Sequence, residues 1–124
     1  MSQHQRVHAR FACDLPVSVH AERHKLALAR FTNIGVGGAS LDCETALEKG
    51  GAYDFWFTWV KEKLRIAGRI AWRADLKEPK ITRYGVMFDE LTTKQMSIMR
   101  IVIDNLRQQQ WPHKDPTLGN YWGV

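Results

Sequence analysis

From Phe11 onward the chain alternates. Leu15, Val17 and Val19 are separated by Pro16, Ser18 and His20, the period-two pattern of a strand with one buried face, with its proline near the start. Lys25 to Ile34 reads as a second strand, Gly35-Val36-Gly37-Gly38 interrupts it, and Ala39 to Cys43 resumes it with Ala39, Leu41 and Cys43 on one side. Gly50-Gly51 marks a turn, and the aromatic and branched residues of Tyr53 to Val60 then suit a pleated surface. The longest alternation puts Leu64, Ile66, Ile70 and Trp72 on one side and Arg65, Arg69 and Arg73 on the other. It predicts an apolar inside and a cationic outside. After the polar turn Asp75 to Lys80, a last strand, Ile81 to Phe88, carries Tyr84, Val86 and Phe88 on one face.

The period then changes. Thr92, with Gln95 three residues later, has the form of a capping box, and Met96, Ile98, Met99, Val102, Ile103 and Leu106 fall on one face at helical spacing. The pattern predicts a helix over 92–110, stopped by Trp111-Pro112. About six strands followed by one helix predict an antiparallel barrel or sandwich with the helix on one opening or flank. Strands that no helix separates argue against a parallel doubly wound sheet, and so against a dinucleotide-cofactor enzyme. Residues 1–10 show no apolar period and are expected to form a loose N-terminal arm, residues 11–110 the folded unit, and residues 111–124 a tail.

Composition narrows the class. A chain of 124 residues is expected to make one domain. With 44% hydrophobic and 25% charged residues it resembles neither a disordered chain nor a membrane protein. No uncharged stretch approaches the ~20 residues of a membrane helix, and no secretion signal is legible, so the expected location is the cytoplasm. Cys13 and Cys43 lie thirty positions apart without a CxxC, and are expected to be reduced, buried thiols. His20 and His24 are four apart but sit in strand-like surroundings, so a solvated turn is favoured over a metal pair. No metal site and no cofactor are expected.

The formal charge of +5 points to an anionic partner. Cations gather in Arg6-Val7-His8-Ala9-Arg10 and in the run Lys63 to Arg73. Catalytic motifs of the GxSxG, HExxH and SxxK kinds are missing, and Asp89-Glu90 has an adequate explanation at a helix N-terminus, so no enzyme is expected. The glycines of Gly35-Val36-Gly37-Gly38 permit positive φ and close approach of a ligand to main-chain N–H groups, or form a hairpin turn with a bulge. Arg6 and Arg10, four residues apart on the arm, are each able to clamp a phosphate or stack on a base. DNA or RNA would call for a longer basic surface with exposed aromatics, so a small, doubly charged ligand fits the scale better.

The order of these pieces resembles the PilZ domain family. The RxxxR pair Arg6 and Arg10 precedes the first strand. Asn33-Ile34-Gly35-Val36-Gly37-Gly38 follows two strands later, then Trp72, then Tyr84-Gly85-Val86-Met87-Phe88 ahead of the helix. The resemblance covers about residues 5 to 108. It implies a bacterial cyclic di-GMP receptor built on a six-stranded antiparallel β-barrel, the PilZ-type split barrel, with a C-terminal α-helix. It further implies that Arg6 and Arg10 grip phosphates and guanine faces, that Asn33 bonds a guanine edge, and that Gly38 leaves room at the barrel rim. Trp72 would project a ring near that rim, and Gly85 would let a ring approach. Arg69 and Arg73 are expected on a solvated face.

Two positions depart from the family pattern: Asn33 stands where Asp is commoner, and Gly35 where the motif has Ser. The first keeps an acceptor and loses a charge, and the second loses a hydroxyl. Both arginines are kept, so weakened rather than abolished binding is expected. The functional expectation is a receptor that orders its N-terminal arm on the ligand and signals to an effector protein of unknown identity. The alternative is a degenerate PilZ adaptor of pilus or motility machinery that acts through protein contacts alone. Trp56 and Trp59 have opposite parity, so one is expected to be exposed to a partner or a second copy, in a monomer or homodimer.

Overall fold

The computed structural model describes residues 9–77 and 80–110. The expectations for Arg6, for the arm before residue 9 and for the 111–124 tail lie outside them. Along the chain run β1 (Phe11–Ala21), β2 (His24–Ile34), β3 (Gly38–Cys43), β4 (Ala52–Trp59), β5 (Glu62–Leu76), β6 (Ile81–Phe88) and α1 (Thr93–Gln110). The six strands close into an antiparallel barrel in the order β1-β2-β3-β6-β5-β4. Of the two architectures that alternation left open, the barrel is the one formed.

The alternation that predicted the strands also fills the barrel. Leu15, Val17 and Val19 of β1 meet Phe31, Leu41, Phe55, Phe57, Ile66, Ile70, Tyr84 and Val86 in one core. Phe31 lies at its centre, with Phe55, Phe57 and Phe88 ring centroids 5.9, 5.7 and 6.1 Å away in tilted or edge-on contacts. Tyr84 is fully buried yet satisfied. Its hydroxyl accepts from the Leu47 N–H at 2.9 Å and donates to the Thr45 carbonyl at 3.4 Å, tying the β3–β4 connection to the core.

The helix starts where its cap predicts. The Thr92 N–H donates to Gln95 Oε1 at 2.8 Å and the Gln95 N–H to Thr92 Oγ1 at 3.1 Å, a reciprocal capping box. Gln95 Nε2 also donates to the Arg65 carbonyl at 2.6 Å, so the cap anchors α1 to β5. Ile98, Met99, Val102, Ile103 and Leu106 are the buried face of α1, whereas Met96 is half-buried. Cys43 is buried and Cys13 half-buried, both as free thiols.

Four register shifts bend the ladders, and they decide which side chains leave the barrel. In β5, Ile70 pairs with Val86 but Trp72 pairs with Gly85, so Ala71 is an extra residue. The parity therefore reverses after Ile70. Trp72, expected on the side of Leu64, Ile66 and Ile70, instead stands on the outer wall and is 40% exposed. Arg73 pairs with Tyr84 and shares its parity, but β5 and β6 run on past the core, and its guanidinium reaches solvent beside Asp75 at 3.3 Å.

Candidate functional site

One outer row brings together Asn33, Gly85 and Trp72 of the residues singled out above. Ala12 pairs with Asn33, Asn33 with Ser40, Ser40 with Gly85, and Gly85 with Trp72. At the usual ~4.8 Å between strands the row crosses about 19 Å of the wall. Asn33 belongs to it because Thr32 is an extra residue in β2: Phe31 pairs with Leu41 and Asn33 with Ser40. Without that bulge Asn33 would share the inward parity of Phe31.

Within the row Asn33 is clamped. Its Nδ2 donates to Ser40 Oγ at 3.0 Å, and its Oδ1 accepts from the Ser40 N–H at 3.1 Å. Both ends of the amide are thereby oriented, with a second Nδ2 proton and a second Oδ1 lone pair left over. Beside them Gly85 has no side chain, and the Trp72 indole occupies that space: a Cβ on Gly85 would overlap indole Nε1, Cε2 and Cδ1. The ring that lies against Gly85 is the protein's own Trp72. On the next outer row Gly38 pairs with Met87, and Met87 with Arg69. Met87 is 56% exposed.

The glycine segment is a turn closed by the Gly35 N–H donating to the Gly38 carbonyl at 2.9 Å. Among the described glycines only Gly50 has a positive φ, of 82°. Gly35 and Gly38 are thus required for close approach rather than for left-handed backbone. A Cβ on Gly35 would overlap the Ala9 carbonyl oxygen and stand 3.2 Å from Arg10 Cγ, and one on Gly38 would overlap the Val86 carbonyl oxygen and stand 2.8 Å from Arg10 Nη2. The two glycines form a seat for the Arg10 side chain. The room predicted at Gly38 is taken up on one side by that guanidinium.

Charge is arranged around this neutral row. Arg83 grips Asp42 with both prongs, Nε to Oδ1 at 2.6 Å and Nη2 to Oδ2 at 2.9 Å. That hydrogen bonding holds the guanidinium above its ordinary pKa against the opposing effect of partial burial. Arg30 pairs with Asp14. Arg30 and Arg83 are therefore committed to carboxylates, while Arg10 and Arg69 flank the other side of the row. The sequence did not single out Ser40 or Met87. A serine in a strand and a methionine between two buried residues carry no distinguishing pattern, and both acquire meaning only through the register.

The family comparison decides the identity of this barrel. The family model described as PilZ domain matches residues 4–104. The chain belongs to the PilZ domain family. Solved structures agree on the fold. The PilZ domain of YcgR from Escherichia coli, solved with c-di-GMP, superposes with a TM-score of 0.69 at 12% identity, covering 90% of this chain and 98% of that one. YcgR from Escherichia coli in complex with c-di-GMP gives 0.73 at 11% identity, covering 91% of this chain. The Bacillus subtilis inhibitor of motility MotI/DgrA gives 0.69 at 15% identity, covering 86% of this chain. The PilZ chain described here spans about half of the latter two, 50% of YcgR and 53% of MotI/DgrA. No curated protein matches it. Among the described residues, no helix is long and apolar enough to cross a membrane.

Proposed function

We propose that this PilZ barrel is a cytoplasmic receptor for cyclic di-GMP that passes its ligand state to a partner protein. The observation that carries the reading is Arg10 seated on Gly35 and Gly38 beside the outer row Asn33, Ser40, Gly85 and Trp72. A cationic fork, an oriented amide and an indole within one short span offer a dinucleotide what it needs: a phosphate clamp, an edge reader and a stacking surface. The YcgR PilZ domain solved with c-di-GMP, to which this chain is similar over nearly its full length, supports the choice of ligand.

In this reading Arg10 and Arg6 hold phosphates and guanine faces. Asn33 bonds a guanine edge, with Ser40 fixing the amide's orientation, and the Trp72 ring stacks on a base. Bringing Arg6 onto the ligand ties down the N-terminal arm, and the changed surface is what the effector reads. Gly35 does not mark a lost site. A serine side chain there would collide with the Ala9 carbonyl, so the glycine belongs with the path of this arm. The adaptor that acts through protein contacts alone has no such observation in its favour.

Isothermal titration tests the reading. Cyclic di-GMP is expected to give saturable heat, and Arg10→Ala to cost roughly tenfold or more in affinity, as loss of a contact to a charged group of about 1.5–3 kcal/mol requires. Arg73→Ala, which removes a guanidinium paired with Asp75 at the far hairpin, is expected to change affinity less than about twofold. No heat at high micromolar ligand, or equal losses in the two variants, contradicts it.

A further inference from the structure

A second feature lies on the opposite wall. Closure in the order β1-β2-β3-β6-β5-β4 sets the β1/β4 seam across the barrel from the β3/β6 seam that carries Ser40 and Gly85. On β1 the outward Ser18 pairs with Leu28 of β2 on one side and with Trp56 of β4 on the other. A small residue between two large ones makes a groove along β1. Its volume is about 550 Å³. Leu28 is 70% exposed, so one wall is a nearly bare aliphatic side chain. The other wall is an indole, held between His20, 6.0 Å away between ring centroids, and the Lys63 ammonium, 5.8 Å from the ring centroid.

Among the described residues, the charged side chains lining the groove are those of Lys25 and Lys63. They mark its two ends, because His20 pairs with Lys25 while Thr58, two residues beyond Trp56, pairs with Lys63. Four residues of extended β1 separate these levels, about 13 Å. Neither lysine is in an ion pair among the described residues, and the nearby Asp54 is engaged by Arg65 at 3.8 Å. β1 and β4 pair from Ser18 to His20, and the groove extends past that pairing over Pro16, Val17, Phe57 and Thr58.

We propose that this groove docks an extended acidic segment of a partner protein, with one apolar side chain seated between Leu28 and Trp56 and a carboxylate reaching each lysine. The spacing selects the occupant. In an extended chain, residues two and four positions apart point the same way and span about 7 and 13 Å, so an apolar residue midway between two acids matches both walls and both cations. A second copy of this chain matches less well, since like lysines would face one another across a symmetric contact. The proposal does not depend on what binds the opposite wall.

The probe is a synthetic peptide with a leucine flanked by a glutamate two positions to each side, titrated into the ¹⁵N-labelled protein. Amide shifts centred on Ser18 and Leu28 and on the Trp56 indole N–H are expected, leaving Asn33, Ser40 and Gly85 still. Leu28→Ser, a change on an exposed side chain, is expected to weaken binding about tenfold. The double charge reversal Lys25→Glu with Lys63→Glu is expected to weaken it about fivefold. The same peptide with lysines in place of glutamates should not bind. Absence of shifts at millimolar peptide, or equal binding of the lysine peptide, overturns the proposal. So does sedimentation of the wild-type chain as a dimer that Leu28→Ser dissociates, which would assign the groove to a second copy. Thermal unfolding of each variant establishes that a loss is not a loss of fold.

Discussion

Gly35, Gly38 and Gly85 act through the side chain each lacks, the first two by admitting Arg10 and the third by admitting the Trp72 indole. The indole is at the free end of an exposed side chain, so Gly85→Ala is expected to evict the ring rather than unfold the strand, at a cost of about 1 kcal/mol. Fluorescence read against Trp72→Phe should show the indole moving to a wetter environment, and cyclic di-GMP affinity should fall in Gly85→Ala and in Trp72→Ala alike. Unchanged emission would mean the ring is not held by the glycine. A second residue-scale expectation concerns Cys13, whose thiol burial pushes up to about 11 from an ordinary value of 9.0, aided by Asp14 and opposed by a backbone hydrogen bond at Leu15. At pH 8 about one such thiol in a thousand is ionised, so disulfide-exchange reagents should label native protein far more slowly than denatured protein. The unfolded thiol ionises first, so the stability this proton confers is complete below about pH 9 and is lost as pH rises toward about 11. Fast native labelling would contradict the burial.

Strand by strand, the alternation of apolar residues was enough to find the elements, because a barrel wall with one dry face imposes period two on everything in it. Its failure at Trp72 has a definite cause. A bulge inserts one residue and exchanges the two faces, and Ala71 carries no signal that distinguishes an extra residue from a paired one. The same device at Thr32 sends Asn33 outward, so the motif's register with Ser40 was hidden although its residues were recognised. Close approach was legible only as an option, since glycine in a sequence does not reveal whether it serves φ or space. The β4–β5 turn supplies a test of local strain. Val60 is a β-branched residue at φ 58°. It is also 82% exposed, so its side chain packs against little. Val60→Gly is expected to raise stability by about 1 kcal/mol, measured by urea unfolding, because the left-handed backbone costs a branched residue about that much. A loss of stability would mean the turn draws more from the valine than its conformation costs.

At the scale of the molecule, the barrel packs its apolar residues inside and leaves the outer wall as the working surface. The β3/β6 wall carries the neutral row with Arg10 seated beside it, and the β1/β4 wall carries the lysine-ended groove. A ligand and a partner on opposite walls do not compete for space. The formal charge of +5 thereby acquires places. Arg30 and Arg83 pair with Asp14 and Asp42, Arg10 is seated beside the row, and Lys25 and Lys63 line the groove. Cyclic di-GMP is expected to lie on the outer row of β2, β3, β6 and β5. A ¹H–¹⁵N titration of the full chain with cyclic di-GMP tests it most directly. Saturable shifts concentrated at Arg10, Asn33, Ser40, Gly85 and the Trp72 indole N–H are the predicted result, and shifts centred on Ser18 and Trp56, or none at high micromolar ligand, would contradict it.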